Sequence, residues 1–197
     1  MPEIEQSFAV DRPPEVVWAF FQNVPEVAAC MPGCELTEEV DSNTFRGKVS
    51  VKIGPISAAF EGEAVLAEVD EAAQRGRIEA KGIDRKGGSR ASATVKYALT
   101  RQDGGTAVDL TGDIKFQGAL AQFGRTGIIR EVSSRLTQEF ANCLRAKLAA
   151  TSPEEAAAIH ADEVKGVRLV AGVIGNKIKG VFRRDDDDEA AATKEEH

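Results

Sequence analysis

The chain has 197 residues, a net charge of −7, 42% hydrophobic side chains and only two histidines. That suits one globular domain of ordinary composition with extensions. An acidic body with few aromatic residues excludes nucleic-acid binding. Both histidines, His160 and His197, fall late, so the first 159 residues lack the usual general base and commonest metal ligand.

The opening MPEIEQSFAVDRPPE has early acids and no apolar run, so neither a signal peptide nor a spanning helix is expected there. Ile4, Gln6, Phe8 and Val10 alternate with Glu3, Glu5 and Ser7, which predicts a strand. Pro13-Pro14 then opens a short helix over 14–22 that carries Val16, Val17, Trp18, Phe20 and Phe21. A second short helix through Val24, Val27 and Ala28 is stopped by Pro32-Gly33. From there the period becomes two. Phe45, Val49, Val51 and Ile53 share one face, and Gly54-Pro55 turns the chain. Ile56, Ala58, Phe60, Gly62, Ala64 and Leu66 form the next inward column. Ile78, Ala80 and Gly82, then Ala91, Ala93, Val95, Tyr97 and Leu99, continue it. After the Asp103-Gly104-Gly105 turn, Val108, Leu110, Ile114 and Phe116 close a one-sided antiparallel meander of six strands. Glu61, Glu63, Glu79, Asp109 and Asp113 mostly take the outward register, which leaves no inward carboxylate pair for acid–base work. Asp70 and Asp84 are explained by turn chemistry. The period returns to 3.6 from Leu120 to Leu148, through Phe123, Ile128, Val132, Leu136, Phe140, Cys143 and Leu144.

Strand, two short helices, meander and long helix make an α+β chain of the helix-grip kind, a curved antiparallel sheet wrapped around a long C-terminal helix. The inward column is rich in small residues: Ala58, Gly62, Ala64, Ala80, Gly82, Ala91 and Ala93. Such a face either packs closely on the helix or leaves an apolar cavity. Candidate lining residues are Val51, Ile53, Ile56, Phe60, Phe116, Leu120, Phe123, Ile128 and Val132. Cys30, Cys34 and Cys143 make an odd count without an export signal, so they are read as buried free thiols. No metal site, no catalytic residue and no covalent cofactor are expected.

Beyond the body, 149–163 reads as an Ala- and Glu-rich linker. Residues 164–184 carry six cations and no carboxylate. At helical period Val167, Val170, Ala171, Ile174, Ile178 and Val181 fall on one face. Lys165, Arg168, Lys179 and Arg183 fall on the other, with Lys177 and Arg184 at its margins. With Phe182 this is a basic amphipathic segment suited to an anionic membrane surface. It cannot span, because Lys177 and Lys179 would enter any ~20-residue window. Residues 185–197 form an acidic tail read as disordered.

MPGCELTEEV, SVKIGPISAAFEGEAVLAEVD and GDIKFQGALAQFG resemble the CoxG-like proteins, accessory components of carbon monoxide dehydrogenase. That family sits in the helix-grip (SRPBCC) superfamily with START domains, Bet v 1 and polyketide cyclases. The resemblance covers roughly residues 1–148. It implies a non-enzymatic partner of molybdenum hydroxylases of the carbon monoxide dehydrogenase type that links them to the membrane. The expected function is recruitment at the inner face of the cytoplasmic membrane from the cytoplasm, with an isoprenoid quinone as the candidate ligand. A ligand-free tether or maturation factor, or a general lipid-binding protein, is the competing expectation.

Overall fold

The computed structural model describes residues 3–53, 56–125 and 127–161. The basic segment and acidic tail therefore lie outside the described residues. β1 (Glu3–Val10) leads into α1 (Pro14–Gln22), whose first turn carries Pro14, and α2 (Val24–Cys30). The Asn23 side chain caps α2 by accepting from the Glu26 backbone N–H at 3.4 Å.

Six strands follow as successive hairpins: β2 (Cys34–Glu39), β3 (Thr44–Ile53), β4 (Ile56–Asp70), β5 (Arg75–Asp84), β6 (Ser89–Gln102) and β7 (Gly105–Gln117). β1 pairs antiparallel with β7, giving one seven-stranded sheet in the order β1-β7-β6-β5-β4-β3-β2. Gly33, at φ 73°, sets the entry to β2. A Cβ there would stand 2.2 Å from the Ser50 carbonyl oxygen, so a side chain has no room. Asp70 and Asp84 do close turns: Asp70 accepts from Ala73 N–H at 2.9 Å, Asp84 from Gly87 N–H at 3.0 Å.

The long helix begins later than its periodicity suggests. Gly118–Arg125 is 3-10, and α3 runs from Gly127 to Ala149. Gly118 at φ 77°, together with Gly124 and Gly127, weakens helix continuity through this stretch. The Leu120 N–H is held by the Ser89 hydroxyl at 3.2 Å, which ties the 3-10 segment to the β5–β6 turn.

One end of the molecule is densely packed. Val10, Val17, Val108 and Leu144 are essentially inaccessible there, and Phe140 sits against Phe8, Phe20 and Phe21 at centroid distances near 6 Å. Burying each such side chain contributes about 1.5–3 kcal/mol. Cys30 and Cys143 are not free thiols, contrary to the sequence reading: they form a disulfide between the end of α2 and the inner face of α3. The spacing of Cys30 and Cys34 could not show this, because the true partner lies 113 residues away and meets Cys30 only through packing. Cys34 alone is free, and burial pushes its thiol pKa up, with the Glu35 charge adding to the shift.

Part of the stretch read as a linker carries structure. α4 (Pro153–Ala158) is capped by Ser152, and the Ala161 N–H donates to the Ala29 carbonyl at 3.0 Å. Ile159 and Ala161 pack on the core. Lys147 is 3% exposed and donates to Glu26 Oε2 at 2.6 Å and the Ala156 carbonyl at 2.9 Å, joining α2, α3 and α4.

Candidate functional site: an apolar hollow under the long helix

The concave face is best followed row by row across the strands. Gly76, Tyr97, Leu110 and Gln6 form one row; Ile78, Val95, Gly112 and Ile4 the next. Ala80, Ala93 and Ile114 follow, then Gly82, Ala91 and Phe116. The first row belongs to the packed end. The Tyr97 ring lies over Gly76, where a Cβ would come within 2.4 Å of it, and Phe21 stacks on Tyr97 at 5.1 Å. Burial raises the Tyr97 pKa, with a hydrogen bond from Gln22 working against the shift.

One row further the packing thins at Val95 and Gly112, although Ile78 still meets the core and Ile4 meets Ile129. Gly112 has the inward register of Leu110 and Ile114, yet a Cβ built on it would meet only the Ile4 carbonyl oxygen, at 3.9 Å. Leu66, Val95 and Leu136 are half-buried and belong to none of the packed apolar groups of the described residues. α3 makes its strand contacts chiefly with β1 and β3, near opposite edges of the sheet. Along β1 it packs Ile129 against Ile4 at one end and Phe140 against Phe8, 6.1 Å between centroids, at the other, and near the Ile129 end Val51 of β3 joins the same apolar group. Between these points Gly112 carries no side chain and Leu66, Val95 and Leu136 stay partly accessible; we call this part of the concave face the hollow.

The small residues of the sheet have two different uses. Ala58 is 4% exposed and packed with Phe60 and Leu120. Gly62 is pressed on β5, where a Cβ would fall 1.8 Å from the Lys81 carbonyl oxygen. Close packing holds there, and the opening is at Gly112.

The sequence-predicted lining is distributed accordingly. Phe60 and Leu120 are buried together, Phe116 stands 6.3 Å from the Phe60 ring, and Val51 packs against both groups at that end. Val132 joins Ile4 and Ile129. These residues form the packed rim beyond the hollow. Ile128 is exposed at 36%, because the helix phase that buries Ile129 turns its neighbour outward. The side chains of Ile53, Ile56 and Phe123 lie outside the described residues, as do Lys165, Val167, Arg168, Val170, Ile174, Lys177, Ile178, Lys179, Val181, Phe182 and Arg183. Neither Gly112 nor Val95 is among the residues the sequence offered for the lining, and the small-residue column it offered instead, Ala58 and Gly62 among them, is closely packed.

The outer face has a different character. Glu61 and Glu63 are exposed there, and an open cleft of about 430 Å³ is bounded by them with Lys81, Arg90 and Lys115. This is a solvated strand surface with mixed charge. Ion pairs such as Arg46–Glu38 and Arg77–Glu68 decorate it and contribute about 0–1 kcal/mol each. Among the described residues no His, Cys, Asp and Glu side chains gather as a metal-ligand set, and no helix is long and apolar enough to cross a membrane.

Comparison with solved structures places the fold. A conserved protein from Geobacillus kaustophilus superimposes with a TM-score of 0.60 at 16% identity, covering 73% of this chain and 95% of that one. Protein Ms6760 from Mycobacterium smegmatis gives 0.55 at 17%, covering 76% and 92%. The ZhuI aromatase/cyclase from Streptomyces sp. R1128 gives 0.53 at 15%, covering 76% and 96%. At these identities the likeness concerns the helix-grip fold alone. No curated protein matches the chain in sequence. The family model of the carbon monoxide dehydrogenase component CoxG matches residues 7–149, which takes in β2 to β7, the hollow and α3. The chain belongs to the CoxG family of carbon monoxide dehydrogenase components.

Proposed function

We propose that this chain is a non-catalytic carrier that holds a lipophilic molecule, an isoprenoid quinone by class, and links a molybdenum hydroxylase of the carbon monoxide dehydrogenase type to the membrane. The observation that supports it best is the open space at Gly112 on a largely apolar concave face. Electrons leaving a water-soluble oxidoreductase need an acceptor that dissolves in lipid, and an apolar hollow spares that acceptor exposure to water. The basic segment 164–184 supplies the second requirement, reversible attachment to the inner face of the cytoplasmic membrane. Each cation near an anionic surface contributes about 1 kcal/mol.

Organic extraction of the purified protein followed by mass spectrometry is the direct test. A co-purifying quinone is the expected result; a protein that never yields or takes up a lipophilic molecule would be a tether or maturation factor. Gly112→Phe separates the same readings on stability. Filling a true hollow raises the melting temperature, since a glycine also leaves the strand interior, while ligand uptake is lost. In a close-packed interior the substitution costs typically 1–3 kcal/mol. A lowered melting temperature with undiminished uptake would count against the hollow.

Membrane affinity should reside in the tail. Removing residues 162–197, which retains the Ala161–Ala29 hydrogen bond, should abolish co-sedimentation with anionic vesicles and leave the melting curve unchanged. Added salt should weaken binding of the intact chain, because charges are screened beyond about 10 Å at 0.1 M. Undiminished sedimentation of the truncated protein would locate the affinity in the body.

A further inference from the structure

Gln6 is a polar exception in an apolar column. On β1 the inward residues are Ile4, Gln6, Phe8 and Val10, and Gln6 is half-buried. Its side chain makes no hydrogen bond to another described residue. Its place relative to α3 follows from the contacts on either side: Ile4 meets Ile129 and Phe8 meets Phe140. Ile4 to Phe8 spans about 13 Å of strand. Ile129 to Phe140 spans about 16 Å of helix. Gln6 therefore faces the middle of that helical stretch, where Ser133 and Leu136 share the inward side with Ile129 and Phe140. It sits in the row beside Gly112, between the packed end and the hollow. Its amide is not fully removed from solvent, so it is accessible to a molecule entering the hollow.

We infer that Gln6 reads the polar end of the molecule in the hollow, its amide N–H donating to a carbonyl oxygen on the ligand, with the Ser133 hydroxyl as second donor. The ligand class is thus a lipophilic molecule bearing a carbonyl at one end. That end points toward the packed floor of Tyr97 and Phe140, and the hydrocarbon part lies along Val95, Gly112 and Ile114. This assignment rests on the carrier reading above and adds an orientation to it.

The test is calorimetric titration of the full chain with two probes, a naphthoquinone carrying a short alkyl chain and the naphthalene carrying the same chain. The wild type should bind both. Gln6→Leu should bind the naphthoquinone about tenfold more weakly, as expected for one lost hydrogen bond, and the naphthalene unchanged. Equal weakening of both probes, or of neither, would overturn the role of Gln6 while leaving the hollow intact. A wild-type chain that binds neither probe would overturn the carrier reading, and this inference with it. Gln6→Met, which preserves the length of the side chain, replaces Gln6→Leu should that variant lose its cooperative melting transition.

Discussion

Reducing the bond between Cys30 and Cys143 should lower the melting temperature by roughly 10 °C. The cross-link joins positions 113 residues apart and so closes nearly the whole sheet into one loop. In the chain-entropy description a loop of that size corresponds to nearly 5 kcal/mol, and measured losses of native disulfides run at about 2–5 kcal/mol. In a protein of this length each kcal/mol displaces the melting point by about 2–4 °C. The experiment compares circular-dichroism melts with and without a thiol reductant, with Cys143→Ala as the covalent control. Cys34→Ser should melt like the wild type, because Cys34 stands outside the bond. Identical melts in the two redox conditions would mean that the two sulfurs contribute as packed thiols only.

The second large effect concerns Lys147. Its ammonium is almost wholly removed from water and depends on Glu26 and the Ala156 carbonyl. Glu26→Ala strips the paired carboxylate from it, and breaking a buried pair from one side costs about 3–5 kcal/mol. Glu26 is itself 36% exposed, so water softens the loss to about 2 kcal/mol. Lys147→Met removes the charge together with its requirement and should be close to neutral. The double variant should recover most of what Glu26→Ala loses. Urea melts of the four proteins form a closed cycle; equal losses in both single variants would show that packing, and not the stranded charge, sets the cost. A chain ended at residue 148 deletes the Ala156 acceptor and should resemble a partial Glu26→Ala.

The alternation of Phe45 to Phe116 announces the meander because a strand exposes its periodicity directly in sequence. The helix start is harder to read, since the residues from Leu120 keep an apolar rhythm while Gly118 and Gly127 break the backbone. The disulfide is hidden for a different reason. Pairing is decided by where α2 and α3 come to rest, and local spacing carries no record of that. The site is half legible. Gln6 stands out in the sequence itself as a polar residue in an apolar column. The hollow does not, because an empty volume requires both walls in position, and large residues such as Phe60 and Leu120 fill space instead of leaving it.

Successive rows of the same strands carry unlike tasks. On β6, Tyr97 anchors the packed end, and Val95, two residues away, faces open space. On β7, Leu110 and Gly112 divide in the same manner. Close packing and open space thereby fall in neighbouring rows of one strand, one pleat apart. A substitution at Val95 or Gly112 therefore changes the open row while the packed row beside it, Tyr97 and Leu110, keeps the contacts that hold the fold.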